Sequence, residues 1–355
     1  LIVTEGFRDS VEMAYENRFE QYDIGVDRPP PLVPRYLRWP VGERMNGQGE
    51  VLRPLDESMV EALLPAIEEH RIESIAVGFL HAYANPVHER RVAEILGDLA
   101  TDIRVTLSSE VCPEIREYER QSTACANAYV QPLMARYLTL LDRRLRDLGF
   151  ACPFYLMTSG GGLTTLETAV RFPIRLVESG PAGGAILAGR IAADHGLDKV
   201  LSFDMGGTTA KVCLIDDAQP LTSRTFEVAR AYRFLKGSGL PIRIPAIEMV
   251  EIGAGGGAIA RVDPMGRITV GPDSAGADPG PACYGLGGDA ATVTDADVAL
   301  GRIDAGTFTG GEVALDPKRA FVALKTAVGE PLELKEPLDA FAVSELVDEN
   351  MANAA

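Results

Sequence analysis

The 355-residue sequence lacks any apolar run approaching the ~18 residues that a membrane span needs, and no charged-then-apolar leader opens it. It is short of positive charge: 34 Lys and Arg stand against 51 Asp and Glu, a net charge of −17. Such a surface repels phosphate backbones, which argues against nucleic acid as a partner. Aromatic residues make up only 6% of the chain, with no basic stripe interleaved among them. The five cysteines, Cys112, Cys125, Cys152, Cys213 and Cys283, contain no C-x-x-C pair. An odd, scattered set fits reduced thiols in a cytoplasmic protein rather than a disulfide framework. The four histidines (His70, His81, His88 and His195) form no ligand-spaced set and no H-E-x-x-H. A G-x-S-x-G elbow and a G-x-x-x-x-G-K-[ST] P-loop are both missing.

What the chain does have is apolar mass and glycine. Hydrophobic residues are 46% of it, enough for two cores at about 100–200 residues per domain. The run Ser74 to Leu80 is nearly continuous in apolar residues, as in a strand covered on both faces. Pro86 opens a helix with Val92, Ile95, Leu96 and Leu99 on one side, followed by a strand over Ile103 to Leu107. A long helix is predicted from about Ser122 to Leu148, then a strand at Phe154 to Met157. Strands alternating with amphipathic helices indicate an α/β domain with a largely parallel sheet. From about Leu197 the pattern changes to paired strands and glycine loops, so the domain boundary is expected at His195-Gly196, giving domains 1–196 and 197–355. The apolar opening Leu1 to Thr4 and the uncapped helical ending suggest a piece of a longer protein.

Thirty-six glycines cluster in a few short loops, and these carry most of the chemistry. In Val200 to Ile215 two apolar strands flank Gly206-Gly207-Thr208-Thr209, which predicts a hairpin with a tight turn. Glycines there permit φ > 0 and leave N–H groups facing an anion, while Thr208 and Thr209 add hydroxyl donors. Lys211 can add positive charge. Asp204, ending the first strand, would repel a bare phosphate and makes sense beside one if a hard cation such as Mg²⁺ lies between. An ordinary hairpin is the competing explanation. Ser159-Gly160-Gly161 directly follow a strand, where α/β sheets bind ligands, although a simple strand-to-helix turn explains them equally. Glu178 to Gly184 lead into a helix whose N-terminus offers unpaired amides.

Gly253, Gly255 and Ala258 match a dinucleotide fingerprint, but Pro264 and Gly266 stand where its helix should run, so a strand, a glycine loop and a hairpin are expected instead. The segment Gly271 to Gly285 is too rich in turn-formers for regular structure, and long loops of this kind shape sites. Within Thr292 to Asp297 the carboxylates are expected to cap a helix beginning near Val298 rather than to bind metal.

Taken together, the stretches TEGFRD (Thr4 to Asp9), ESGPAGG (Glu178 to Gly184), SFDMGGTTAK (Ser202 to Lys211), EIGAGGGAIA (Glu251 to Ala260), GPDSAGADPGPACYG (Gly271 to Gly285) and TVTDAD (Thr292 to Asp297) resemble the A-type subunit of the hydantoinase/oxoprolinase family. The resemblance implies an actin/sugar-kinase/Hsp70-like (ribonuclease H-like) ATPase fold, with both α/β domains incomplete in this chain. It implies ATP and Mg²⁺ or another divalent metal as cofactors. By carry-over, Asp204, Gly206, Gly207, Thr208 and Thr209 would form the second-domain phosphate loop, with Asp204 holding the metal. Ser159, Gly160, Gly161, Gly255, Gly256 and Gly257 are further candidates for cofactor binding, and Asp204 and Lys211 for catalysis. The family's first phosphate loop, G-G-T-F-T-D, would precede Leu1, and its G-G-A-G-P loop would follow Ala355.

The function this implies is ATP-dependent ring opening of a cyclic amide, such as a hydantoin or 5-oxoproline, by phosphorylation of the amide oxygen before hydrolysis. The implied assembly is a hetero-oligomer with a B-type subunit or fused domain. Two alternatives stand beside it: a subunit of an ATP-dependent ketone carboxylase, acting on acetone or acetophenone, and a non-catalytic assembly module.

Overall fold

The run at Ser74–Gly78 forms the expected strand, and its neighbours explain why it is apolar throughout. The computed structural model describes residues 1–16, 18–26, 30–100, 103–230, 236–311 and 313–354. In it Ile2–Thr4 (β1), Trp39–Val41 (β2), Ser74–Gly78 (β3) and Arg104–Leu107 (β4) form a parallel sheet in the order β2-β1-β3-β4. Helix α1 (Val87–Leu99) lays Val92, Ile95 and Leu96 on one face of this sheet, against Ile2, Ile75 and Val77. Leu99, expected on the same side, is exposed. Helix α2 (Glu117–Asp147) starts five residues before the expected Ser122, and its first half supplies Ala124, Cys125 and Ala128 to a second core with Val3 and Ala76. Among the described residues no helix is long and apolar enough to cross a membrane. All five cysteines are free thiols; four are buried and Cys152 is exposed.

Beyond the carboxyl ends of β3 and β4 the backbone meets a buried polar cluster. The Glu89 carboxylate accepts from Phe79 N at 3.0 Å, Ser108 Oγ at 2.6 Å, Ser109 N at 2.9 Å and Ser109 Oγ at 2.7 Å. Four donors offset part of the cost of removing that carboxylate from water. Burial still holds its pKa above the ordinary carboxylate value. Arg120, fully buried, donates to Ser108 Oγ at 3.1 Å, Glu114 O at 3.0 Å and Phe79 O at 2.8 Å. It therefore ties α2 to the end of β3.

Two compact units divide the chain: Leu1–Gly183 with Thr222–Ile247, and Gly184–Leu221 with Glu248–Ala355. This partition differs from the expected division at 196: the boundary falls after Gly183, within a helix, and a later segment returns to the first unit. Strands Phe226–Val228 and Leu240–Ile242 pair there, Ile242 and Ile244 enter the core beside Val3, and Arg243 N donates to Thr123 Oγ1 at 2.8 Å. The first unit also holds a short hairpin, Tyr155–Met157 (β5) with Leu163–Thr165 (β6); helix α3 (Ser179–Asp194) follows, and from Gly184 on it belongs to the second unit.

The second unit is built on antiparallel strands, as the glycine-loop pattern predicts. Lys199–Met205 (β7) pairs with Ala210–Asp216 (β8), and Val250–Ile252 (β9) pairs with β8 on its other side. Ala258–Val262 (β10) and Ile268–Ser274 (β11) form another hairpin. Helices α4 (Val293–Ala299), α5 (Pro317–Leu324) and α6 (Leu338–Ala354) complete it, with Val347 and Met351 of α6 packed with Ala210, Ala254 and Ala258. Strand β11 corrects the expectation that Gly271 to Gly285 is wholly irregular. It runs on through Pro272 to Ser274, and because it pairs only with β10 among the described residues, a proline lacking an N–H is tolerated on its outer edge.

Arg120 yields a stability test. Arg120→Met keeps an unbranched stem but strands the Phe79 and Glu114 carbonyls. It is expected to lower unfolding stability by about 3 kcal/mol, read from the urea midpoint by circular dichroism.

Candidate functional site

Hairpin β7–β8 closes on a two-residue connection. Met205 pairs with Ala210, Gly206 N donates to Thr209 O at 2.9 Å, and Gly207-Thr208 make the turn. Neither Gly206 nor Gly207 adopts positive φ, contrary to the expectation that the turn needs glycine for that reason. What glycine supplies at 207 is open space, since a Cβ there would meet nothing within 4 Å. Gly206, Gly207 and Thr208 are exposed and Thr209 half-buried. Among the described residues, no hydrogen bond occupies the amides of Gly207, Thr208 and Thr209 or the two threonine hydroxyls. A run of unpaired donors on an exposed turn is an anion-binding arrangement.

The second glycine loop lies directly against this turn. Gly256 N donates to Gly206 O at 3.0 Å and Gly257 N to Gly207 O at 2.6 Å. The approach is close enough that a Cβ at Gly255 would fall 2.7 Å from Gly206 O and from Thr208 N and C. Gly255, Gly256 and Gly257 are therefore brought to the candidate site, but as a brace: the amides of Gly256 and Gly257 are spent on the turn's carbonyls. As the sequence predicts, the residues after the loop form strand β10 rather than a dinucleotide-binding helix.

Asp204, Lys211 and Glu251 stand in one cross-strand row over β7, β8 and β9, so their side chains share a face of the sheet. Lys211 Nζ lies 3.4 Å from Glu251 Oε1, with 16% of its side chain exposed. The positive charge that Lys211 was expected to add thus faces a carboxylate on the neighbouring strand. Asp204 is exposed, and among the described residues nothing hydrogen-bonds or ion-pairs with its carboxylate. No group of three metal-binding side chains exists among the described residues. One free carboxylate beside unpaired amides still suits Mg²⁺, which usually takes one or two protein carboxylates and completes its shell with phosphate oxygens and water.

Ser159, Gly160 and Gly161 belong to the first unit and turn the β5–β6 hairpin, not a strand-to-helix loop. Ser159 is 2% exposed. Its Oγ lies 2.8 Å from Arg175 O and 2.5 Å from Val177 O, its N donates to Arg175 O at 2.8 Å, and its carbonyl accepts from Ile247 N at 2.8 Å. A Cβ at Gly160 would come within 3.3 Å of Pro245, and Gly161 holds φ +80°. Ser159 thus pins together three segments of the first unit and spends all of its own polar groups in doing so.

Thr292 and Asp295 form a reciprocal capping box that starts α4 at Val293, five residues before the expected position. The buried Asp295 carboxylate accepts from Thr292 N at 2.9 Å and Oγ1 at 2.7 Å, and also from Ala282 N at 3.2 Å and Cys283 N at 2.8 Å. It thus fastens the proline-rich loop to α4, and burial together with this carboxylate raises the Cys283 pKa. Thr294, not among the candidate site residues, donates to Gly256 O from both N (2.7 Å) and Oγ1 (2.8 Å). Its signal was the T-x-x-D spacing of Thr292 and Asp295, which places residue 294 in the first helical turn.

Comparison with known proteins bears on this geometry. Residues 120–355 match the family model described as Hydantoinase/oxoprolinase, and residues 1–99 match Hydantoinase/oxoprolinase N-terminal region. The caprolactamase subunit alpha of Pseudomonas jessenii is 35% identical over 355 residues, covering 99% of this chain and 50% of that protein. The acetophenone carboxylase gamma subunit of Aromatoleum aromaticum is 34% identical, covering 100% and 49%. Among solved structures, a nucleotide-free acetone carboxylase superposes with TM-score 0.79 at 28% identity, covering 99% of this chain and 50% of that one. The ATP-dependent caprolactamase of Pseudomonas jessenii gives 0.77 at 34%, with the same coverage. The chain spans about half the length of these relatives.

The two glycine runs are expected to respond oppositely to a methyl group. Gly255→Ala forces the turn away and should cost about 2 kcal/mol, whereas Gly207→Ala should leave stability within ~0.5 kcal/mol. Thermal unfolding of the two variants measures the contrast.

Proposed function

The chain belongs to the hydantoinase/oxoprolinase family, and on that footing we propose that it carries a nucleotide phosphate grip of an ATP-dependent enzyme that opens a cyclic amide or imide. The observation that supports this most is the exposed β7–β8 turn, with three unpaired amides and two unpaired hydroxyls beside a free carboxylate. The fold we infer is of the actin/sugar-kinase/Hsp70 kind, with the turn as its second-domain phosphate loop. The relatives named as ATP-dependent or as enzyme subunits favour the same reading and a hetero-oligomeric whole, with a B-type subunit or fused domain as partner.

Ring amides resist water because their carbonyl is a weak electrophile. Transfer of a γ-phosphoryl group to the amide oxygen turns that oxygen into a leaving group and allows hydrolysis. Here the amides of Gly207, Thr208 and Thr209 and the hydroxyls of Thr208 and Thr209 would donate to phosphate oxygens. Asp204 is the residue that would hold a divalent ion, whose chemistry is to neutralise charge on the phosphates. Lys211, neutralised by Glu251, would set the position of β8 rather than act on the phosphate.

A second reading, ATP-dependent ketone carboxylation, is favoured by the acetone carboxylase superposition and shares the oxygen-phosphorylation step. In the full-length protein with its partner, Asp204→Ala is expected to reduce ATP turnover about 100-fold or more. Unchanged turnover would remove the hairpin from the mechanism. ATP turnover that requires bicarbonate together with acetone or acetophenone, and is indifferent to hydantoins, lactams and 5-oxoproline, would select the carboxylase.

A further inference from the structure

We propose that Thr294 is a positioning residue that sets the affinity of the hairpin for the anionic end of its ligand, acting through two consecutive peptide groups. The inference rests on the phosphate-grip reading of the β7–β8 turn. Thr294 is 6% exposed and donates twice, from N at 2.7 Å and Oγ1 at 2.8 Å, to the carbonyl of Gly256. That carbonyl shares its peptide plane with the amide of Gly257, which donates to Gly207 O at 2.6 Å. The Gly207 carbonyl in turn shares its plane with the amide of Thr208, one of the unpaired donors on the turn. Hydrogen bonds linked through peptide groups polarise one another, strengthening each by roughly 10–30%. The order is thus Thr294 hydroxyl, peptide 256–257, peptide 207–208, and then the bound anion.

The end of this relay is fixed. Asp295, fully buried, accepts from Thr292 and from the amides of Ala282 and Cys283, which fastens the first turn of α4 to the 271–285 loop, and Thr292 bridges to Ile259 just past the glycine loop. Any side chain at 256 would break into this contact, since a Cβ there would lie 2.8 Å from Thr294 Oγ1. Loss of the hydroxyl leaves the backbone bond from Thr294 N in place, so the loop stays seated while the relay loses one of its two donors.

The test uses the full-length protein with its partner and Mg-ATP. Thr294→Val is expected to raise KM for ATP about 1.5- to 4-fold with kcat within about twofold of wild type, and Thr294→Ser to restore KM. The Thr208 amide proton should move upfield in Thr294→Val, because its peptide is less polarised. An unchanged KM, a lower melting temperature with KM unchanged, or a failure of serine to rescue would each overturn the proposal. Should the valine variant fail to fold, Thr294→Ala carries the same expectation. A Thr208→Val/Thr209→Val variant is measured alongside. If it leaves KM unchanged, the phosphate-grip reading fails and the inference with it. If it raises KM while Thr294→Val does not, only the inference about Thr294 fails.

Discussion

Two backbone hydrogen bonds, from the amides of Gly256 and Gly257 to the carbonyls of Gly206 and Gly207, hold the candidate site in shape. They work because four glycines and a tight turn let two stretches of main chain meet without side chains between them. The two runs need glycine for different reasons. At 255–257 the absent Cβ makes room for the turn's own backbone. At 207 it leaves space that none of the described residues fills, which is the condition for a ligand to reach the amides. Sequence composition makes these runs look alike; only the contacts separate a brace from a grip.

Much of the architecture was legible because it is encoded locally. The apolar run at Ser74–Gly78, the 3.6-residue spacing of Val92, Ile95 and Leu96, and the paired apolar runs on either side of Gly206-Gly207 each specify their element without help from afar. What failed to show depended on partners distant in sequence. Ser159 looks like a ligand-binding serine in a glycine loop until Arg175, Val177 and Ile247 are seen to take all of its polar groups. The same holds for Lys211, whose carboxylate partner lies forty residues on in Glu251. Thr222–Ile247 joins the first unit through core contacts that no local pattern announces.

A grip made of main-chain amides is indifferent to what finally accepts a phosphoryl group. That property suits a family whose relatives include a caprolactamase and ketone carboxylases, activities with different products but a shared dependence on ATP in the two solved structures. On the proposed reading, selection of the acceptor falls to other surfaces; the polar atoms of the buried cluster of Glu89, Ser108 and Arg120 serve one another. Its work is structural: it closes the ends of β3 and β4, where a parallel sheet would otherwise leave main-chain groups unpaired.

The distribution of thiols has a practical consequence. Cys152 is exposed, whereas Cys112 and Cys125 lie inside the first unit and Cys213 and Cys283 inside the second, with burial pushing the first pair up to about 11. A maleimide applied to the native protein would add one mass increment, and each further increment would report the opening of an identifiable region. Because the sheltered thiols are shared two and two, peptide mapping of the alkylated chain could time the loosening of each unit separately, with no engineered probe.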